Sequence, residues 1–418
     1  MGEGNERRVA VVAGSRTPFV KAGTAFKDRS PLELALHSVE GLAEMHGLDP
    51  GIVDTLIYGI VIVDPRIPHM ARDVALRGVL PDTVRALTIT DNCITGASAV
   101  AIVHDAIVRG RADVGIAGGV ESMSNPPVLF NERASRTFLD AARAKSLGPK
   151  IKALSRLRPT DLAPDPADFA EPSTGLTMGE HCELMVKEWG IPRREQDEIA
   201  FRSHMRAHEA TEEGRFEEQI HPLGGVEEDG LIRADTSMET LAGLPPVFDR
   251  SASGTLTAGN SSPLTDGASA VLMMSEETAE AEGFEPLAFV RDFEFVGIDP
   301  GEGLLMGPGV AVPRLLERTG LGLDDMDVVE IHEAFGGQVA CNLRAWEQGW
   351  KEEAIGSVPE EKLNPNGGSI ALGHPFAATG GRIVAQLAHE LERRDARYGL
   401  ISICGAGATA AAMILERS

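Results

Sequence analysis

Apolar residues along this chain fall into two patterns. Short unbroken runs alternate with longer stretches in which apolar positions recur every three or four residues. The run Val9-Ala10-Val11-Val12-Ala13, closing on Gly14, predicts a buried strand that ends in a loop. Residues 31–45 carry the helical period and predict an amphipathic helix, and residues 84–90 predict a short strand. Asp91 and Asn92 are good capping residues, residues 97–108 predict a helix closed by Gly110, and residues 114–120 predict another buried strand. Strand, helix and strand in this order predict an α/β protein, with helices packed on a mainly parallel sheet.

The order recurs towards the C-terminus. Val328-Val329-Glu330-Ile331 predicts a strand running into His332, residues 380–393 predict a helix, and residues 398–404 predict a strand that ends in a Gly-rich turn. A loop precedes each of two corresponding helices, one carrying Cys93 and the other His374, so an internal repeat of two similar halves is expected. Between the halves the alternation breaks. Residues 121–250 hold the Pro-rich Ala163-Pro164-Asp165-Pro166 and helical runs at 178–188 and 194–213, and core-like sequence resumes at 254–275. The expected organisation is a first half from residues 1–120 plus 251–280, an inserted loop domain at 121–250, and a second half at 281–418.

Composition narrows the function classes. The chain has 418 residues, 43% of them hydrophobic and 24% charged, and a formal net charge of −24. That length supports a large core. That charge argues against nucleic-acid binding, which needs a basic footprint, and against unassisted docking on anionic lipid. The four cysteines (Cys93, Cys182, Cys341 and Cys404) form no CxxC pair, so a reducing compartment is expected, with a cytoplasmic location. No apolar run reaches the ~18 residues of a membrane span. Residues 1–8 lack a signal-peptide core, Glu6 spoils a myristoylation pattern, and Glu416-Arg417-Ser418 is not a peroxisomal address.

Candidate chemistry gathers at three places. Cys93, in Asp91-Asn92-Cys93-Ile94-Thr95-Gly96, follows a strand and opens a helix, where unpaired N–H groups and the helix dipole favour a thiolate. A buried structural cysteine remains the alternative there. His374 lies in Asn364-Pro365-Asn366-Gly367-Gly368-Ser369-Ile370-Ala371-Leu372-Gly373-His374-Pro375, whose glycines let backbone approach a ligand closely, with Pro375 suited to the first turn of the next helix. Cys404, in Cys404-Gly405-Ala406-Gly407, ends a strand in a turn whose N–H groups suit an oxyanion, and its thiol suits acid–base work. His332, in His332-Glu333-Ala334-Phe335-Gly336, lacks the second His at i+4 that a zinc motif needs, so no metal is expected and a polar donor is the better reading.

At these motifs the whole chain resembles the thiolase family. The Gly-His-Pro loop, the nucleophile motif at Cys93, the C-terminal Cys-Gly turn, and Ala258-Gly259-Asn260-Ser261-Ser262 with Asp266-Gly267-Ala268 carry the resemblance. There are three departures. His332 stands where most thiolases have Asn, Ala377 where many have Gly, and Asp91 where the family has an uncharged or basic residue. An acid at 91 turned towards Cys93 would raise the thiol's pKa. With Arg156-Leu157-Arg158-Pro159 and Ser173-Thr174-Gly175-Leu176-Thr177-Met178-Gly179, the first two departures resemble the β-subunit of the trifunctional fatty-acid oxidation complex and its bacterial counterparts.

The resemblance implies a thiolase fold of layered αβαβα type and thiolytic cleavage of 3-ketoacyl-CoA by coenzyme A, tilted towards medium or long chains. By position, Cys93 would carry the acyl group and His374 would take its proton. Cys404 would protonate the enolate and later deprotonate CoA. His332 would complete one oxyanion site through a water, and the backbone N–H groups of Cys93 and Ala406 would form another. Ser262 would contact pantetheine, Met178 would line the acyl pocket, and Gly373, Ala258 and Phe335 would border the substrate. CoA is a substrate, with no permanent cofactor. A homodimer or tetramer is implied, and a hydratase/dehydrogenase α-subunit by the subfamily likeness. A basic segment (Arg143, Lys145, Lys150, Lys152, Arg156 and Arg158) would meet CoA phosphate, a partner subunit or a membrane surface, or form a solvated amphipathic helix. The alternatives are a biosynthetic acetoacetyl-CoA thiolase, a decarboxylating condensing enzyme (against which Cys404 counts), and a non-catalytic lipid-binding or scaffold protein.

Overall fold

The computed structural model describes residues 7–164 and 170–417; residues 1–6, Asp165, Pro166 and Ser418, used in the sequence reading, lie outside them. The first half opens with β1 (Val9–Arg16), β2 (Val20–Lys21) and α1 (Pro31–His46), and continues through β3 (Thr55–Gly59), α2 (Met70–Arg77) and β4 (Arg85–Ile89) to α3 (Thr95–Val108) and β5 (Val114–Ser122). Five helices follow: α4 (Glu132–Arg143), α5 (Leu147–Leu154), α6 (Met178–Glu188), α7 (Arg193–Glu212) and α8 (Met238–Ala242). The chain then returns through β6 (Thr265–Ser275) and α9 (Glu276–Glu282). The second half runs β7 (Ala288–Gly297), α10 (Pro308–Thr319), β8 (Val328–Ile331), α11 (Gly336–Gln348), α12 (Ser369–Leu372), α13 (Thr379–Arg394), β9 (Tyr398–Gly405) and β10 (Thr409–Glu416).

Local chemistry explains the ends. Helix α1 begins at a Ser30/Glu33 capping box with Pro31 in its first turn, and it stops at Gly47, which takes the left-handed conformation. Thr177 and Glu180 cap α6 in the same way.

The strands form one sheet in the order β4-β3-β5-β6-β1-β7-β10-β9-β8, with β2 beside β6. Parallel pairing is confined to β3 with β4 and β5, and to β8 with β9; the other described pairings are antiparallel. The expected mainly parallel sheet is therefore corrected to a mixed one. Strand–helix alternation does not fix direction here: β5 and β6 pair antiparallel although helices lie between them, and β9 and β10 are joined by a short turn, which forces antiparallel pairing. Strand β6 is buried along its whole length.

The repeat is visible in the topology. The series β3-β5-β6-β1 matches β8-β9-β10-β7 in order and in pair orientation, and α3 and α13 occupy matching places. Alternate residues of each strand serve opposite layers. Val9 and Val11, with Val271, Ile401, Ile403, Ala411 and Met413, pack around α3 and α13 between the two halves. Ala10 and Val12 face the α1 and α2 side, and Ala410, Ala412 and Ile414 face α10 and α11. The layers thus read α, β, α, β, α.

Helices α3 and α13 cross at glycine. A Cβ on Gly380 would lie 2.3 Å from the Ala97 nitrogen, and one on Gly96 would lie 2.6 Å from the Gly381 nitrogen. This contact brings the loops before the two helices together. Between β5 and β6, α5 exposes Leu147, Ile151 and Leu154, which recur at helical spacing.

Candidate active site

Cys93 sits in a 3-10 turn, Asn92–Ile94, directly ahead of α3. Asn92 holds a positive φ of 47°, and its amide donates to the Ala406 carbonyl at 2.9 Å, tying this turn to the Cys404 turn. His374 approaches from the repeat-equivalent loop, and its Nε2 lies 3.2 Å from Cys93 Sγ. Pro375 is not in the first turn of α13, as the sequence reading expected. It precedes a 3-10 turn, Phe376–Ala378, and α13 starts only at Thr379. The offset lets Thr379 fold back beneath the histidine.

The tautomer of His374 follows from that hydroxyl. His374 Nδ1 lies 2.7 Å from Thr379 Oγ1, whose own proton points to the Pro375 carbonyl at 3.3 Å. Nδ1–H therefore donates to Thr379, and the Nε2 lone pair faces the thiol. Burial, then the nearby Arg382 charge, pushes the His374 pKa down to about 3. Burial pushes Cys93 up to about 11, opposed by the N–H of Ala406 and raised further by Glu121. The resting pair is thus a neutral thiol and a neutral imidazole, suited to proton transfer concerted with attack. Asp91 does not face Cys93. Its carboxylate accepts from Ser98 Oγ at 2.7 Å and lines an open cleft with Ile94 and Phe293. The acid coupled to the thiol is Glu121, whose carboxylate is held by the N–H groups of Val61 and Ile62.

Cys404 is buried at the end of β9, close enough that a charged Cys93 would raise its pKa further. The N–H of Gly407 in the same turn donates to Glu171 at 3.0 Å. His332, buried at the end of β8, stacks obliquely on His374 with ring centroids 4.1 Å apart. Its Nδ1 meets Ser369 Oγ at 2.8 Å, and its Nε2 is buried without a hydrogen-bond partner. One ligating atom from each of Cys93, His332 and His374 falls within 4.8 Å of the others. Burial and the adjacent His374 and Arg382 keep His332 neutral.

The loop glycines make room for close protein neighbours. A Cβ on Gly368 would meet the Glu333 carboxylate at 2.3 Å, one on Gly367 would meet the Ser203 carbonyl at 2.4 Å, and one on Gly373 would meet Leu231 at 2.6 Å. They let the His374 loop pack closely against its own protein neighbours. Glu333 anchors that loop by accepting from Ser203 Oγ, Asn364 Nδ2 and the N–H of Ile370.

The remaining candidates lie around this centre. Phe335 is buried edge-on to Phe248, and Ser261 pairs with it in an isolated bridge. Leu264 pairs with His374, so residues 261–264 run from Phe335 to the histidine, and the N–H of Ser262 donates to Ala334. Ala258 is exposed in the same segment. Met178 opens α6, whose Cys182 lies near Cys404 and Cys341.

Thr379, Ser369, Arg382 and Glu121 were missed in sequence. The signals available were hydroxyls five residues either side of His374 and an arginine set directly before the apolar Ile383-Val384-Ala385.

Two family models match, the thiolase N-terminal domain over residues 9–277 and the thiolase C-terminal domain over 284–417. A 3-ketoacyl-CoA thiolase of Colwellia psychrerythraea is 40% identical, covering 98% of this chain and 97% of its own. One from Serratia proteamaculans is 41% identical with the same coverage. Among solved structures, an acetyl-CoA acetyltransferase of Bacillus anthracis superposes with a TM-score of 0.86 at 33% identity, covering 98% of this chain and 99% of its own. Human mitochondrial 3-ketoacyl-CoA thiolase in complex with CoA gives 0.84 at 31%, covering 99% and 98%.

Proposed function

The chain belongs to the thiolase family, and on that premise we propose that it cleaves 3-ketoacyl-CoA with coenzyme A, giving acetyl-CoA and a shortened acyl-CoA. The observation that carries the catalytic assignment is the Cys93–His374 contact at 3.2 Å, with the Ala406 N–H on the same sulfur.

In the first half-reaction His374 Nε2 takes the Cys93 proton as sulfur attacks the 3-keto carbon. The bond between C2 and C3 then breaks, and its electron pair leaves as the acetyl-CoA enolate. Cys404 protonates C2, which releases acetyl-CoA and leaves the acyl group on Cys93. In the second half-reaction the Cys404 thiolate removes the proton of CoA, and the CoA sulfur attacks the acyl carbon. Cys93 departs and recovers its proton from His374. Charge develops on oxygen in both half-reactions, so donors aimed at it carry much of the rate. His332 and protonated His374 serve the thioester enolate, and the N–H groups of Cys93 and Ala406 serve the tetrahedral oxyanion.

Around this centre we assign Ser262, Ala258, Gly373 and Phe335 to the CoA channel, and Met178 to the acyl side. Between β5 and β6, the exposed Lys150 and Lys152 of α5 suit contact with a CoA phosphate. The half-exposed edge strand β4 supports pairing with a second copy, and the trifunctional-like motifs favour medium or long acyl chains and an α-subunit partner. Four free cysteines suit a reducing, cytoplasmic setting.

Thiolysis of acetoacetyl-CoA and of a long-chain 3-ketoacyl-CoA, measured in parallel on the purified protein, tests the reading. Preference for the long chain supports it, and preference for acetoacetyl-CoA assigns the biosynthetic reaction instead. A Cys93→Ser protein that retained thiolysis would refute the nucleophile.

A further inference from the structure

Arg382 is a buried cation without a direct carboxylate partner. Its Nη1 reaches Gln386 Oε1 at 3.3 Å, and Gln386 Nε2 in turn donates to Glu330 at 3.1 Å. Its Nη2 donates to Ser369 Oγ at 2.8 Å. Burying a guanidinium costs heavily unless something uses it.

The use lies one bond further on. A serine hydroxyl has one proton and two lone pairs. Arg382 has only protons to give, so it occupies a lone pair of Ser369 and leaves the hydroxyl proton for another neighbour. The other hydrogen-bond partner of Ser369 Oγ is His332 Nδ1, at 2.8 Å. An accepting Nδ1 puts the ring proton of His332 on Nε2, the buried nitrogen that has no partner, in a ring that stacks on His374 and brings one nitrogen within 4.8 Å of the ligating atoms of Cys93 and His374.

The two histidines are therefore set to opposite tautomers by two hydroxyls with opposite anchors. Thr379 is anchored to a carbonyl acceptor and leaves His374 Nε2 bare to receive a proton. Ser369 is anchored to a guanidinium donor and leaves His332 Nε2 protonated to donate a hydrogen bond.

Building on the thiolysis reading, we propose that Arg382 and Ser369 are positioning residues that hold His332 as a neutral Nε2–H donor, which hydrogen-bonds the thioester oxygen of the departing enolate directly. The sequence reading routed that contact through water. A water on an unpolarised His332 could meet either nitrogen state, whereas the Arg382–Ser369 chain selects one.

The first test is the tautomer itself, read by long-range 1H–15N correlation on protein labelled with 15N-histidine, with His332 identified by its loss in His332→Asn. The expected result is an Nε2–H pattern for His332 in the wild type and a shift to mixed or Nδ1–H signals in Ser369→Ala. An Nδ1–H pattern in the wild type overturns the proposal. This measurement needs no turnover, so it stands even if the protein proves inactive as a thiolase.

The second test is kinetic. Ser369→Ala should lower kcat by about tenfold or more, within the range for weakening one oxyanion donor, with KM for CoA little changed. Alkylation of Cys93 by iodoacetamide should keep its rate, because the Cys93–His374 pair is untouched. Ser369→Thr, which keeps the hydroxyl, should recover most of the loss. Full kcat in Ser369→Ala would overturn the proposal. Should that variant fail to fold, Arg382→Lys, which keeps the charge on a single donor, carries the same prediction in weaker form.

Discussion

Gly96 of α3 and Gly380 of α13 meet backbone to backbone, with room for no side-chain carbon between them: a Cβ on Gly380 would sit 2.3 Å from the Ala97 nitrogen and 2.7 Å from the Gly96 carbonyl carbon. The catalytic pair hangs on this crossing, since Cys93 lies three residues before Gly96 and His374 six before Gly380. Gly380→Ala is expected to force the helices apart, to destabilise the protein by about 1–3 kcal/mol, and to lower thiolysis further than that loss explains. Thermal melts with parallel rate measurements check it. Gly148→Ala is the control. Its added carbon meets nothing within 4 Å and lies in α5, so helix propensity favours it and activity should hold.

Thr379 sets which nitrogen of His374 faces the thiol. Thr379→Val keeps the shape and removes the acceptor, so Nδ1–H loses its partner and the other tautomer becomes competitive. The expected result is a fall in kcat of about 10- to 100-fold, the scale of general-base catalysis, with KM near the wild-type value. Slower alkylation of Cys93 by iodoacetamide should accompany it. Unchanged alkylation and kcat would show that the tautomer is fixed by something else.

Glu121, rather than Asp91, is the acid that the nucleophile feels. Burial raises its pKa to about 7, against the lowering effect of the N–H groups it accepts from. Its folded-state pKa is above its unfolded value, so the folded protein holds the extra proton between about 4.5 and 7. Stability attributable to this group is present below that window and lost as pH rises through it. Compared with Glu121→Gln, the wild type should lose about 3 kcal/mol across the window, measurable by denaturant titration at both ends. Glu121→Gln should also move the alkylation profile of Cys93 to lower pH, and Asp91→Asn should leave it in place.

Much of this site was legible in the chain because its chemistry is carried by rare residues in glycine-rich or cap-like surroundings. Cys93, His374 and Cys404 stand at loop–helix and strand–turn junctions, and a pattern of apolar runs finds such junctions. The partners were not legible, for a physical reason. Thr379, Ser369 and Arg382 lie on helical sequence, where a hydroxyl or an arginine ordinarily means a solvated face, and only the helix crossing turns them inward. Strand direction was misread because strand–helix alternation was taken to mean a mainly parallel sheet, whereas β6, joined to β5 through several helices, runs antiparallel to both β5 and β1. Asp91 was suspected from proximity in sequence, yet the turn at Asn92 rotates it towards Ser98.

The protonation state of the Cys93–His374 pair leads to the last prediction. With His374 pushed down to about 3 and Cys93 up to about 11, neither group titrates near neutrality in the free protein. A preformed thiolate–imidazolium pair would give alkylation with an acid limb at the lowered thiol pKa, about 3.5–7.5 for activated cysteines, and a plateau above it. A neutral pair gives no such limb. The rate of Cys93 alkylation should stay low from about pH 5 to 8 and climb continuously towards alkaline pH, as the small thiolate fraction grows about tenfold per unit. The stability linked to His374 runs the other way. Its folded pKa lies below the unfolded value, so the unfolded chain takes up the proton first, and stability falls as pH drops from about 6.5 towards 3. His332 is lowered in the same direction and adds to that fall. Iodoacetamide kinetics from pH 5 to 10, on wild type and on Cys404→Ser to isolate the Cys93 signal, make the measurement. A plateau reached below pH 8 would mean that the resting pair is ionic and that attack needs no concerted proton transfer.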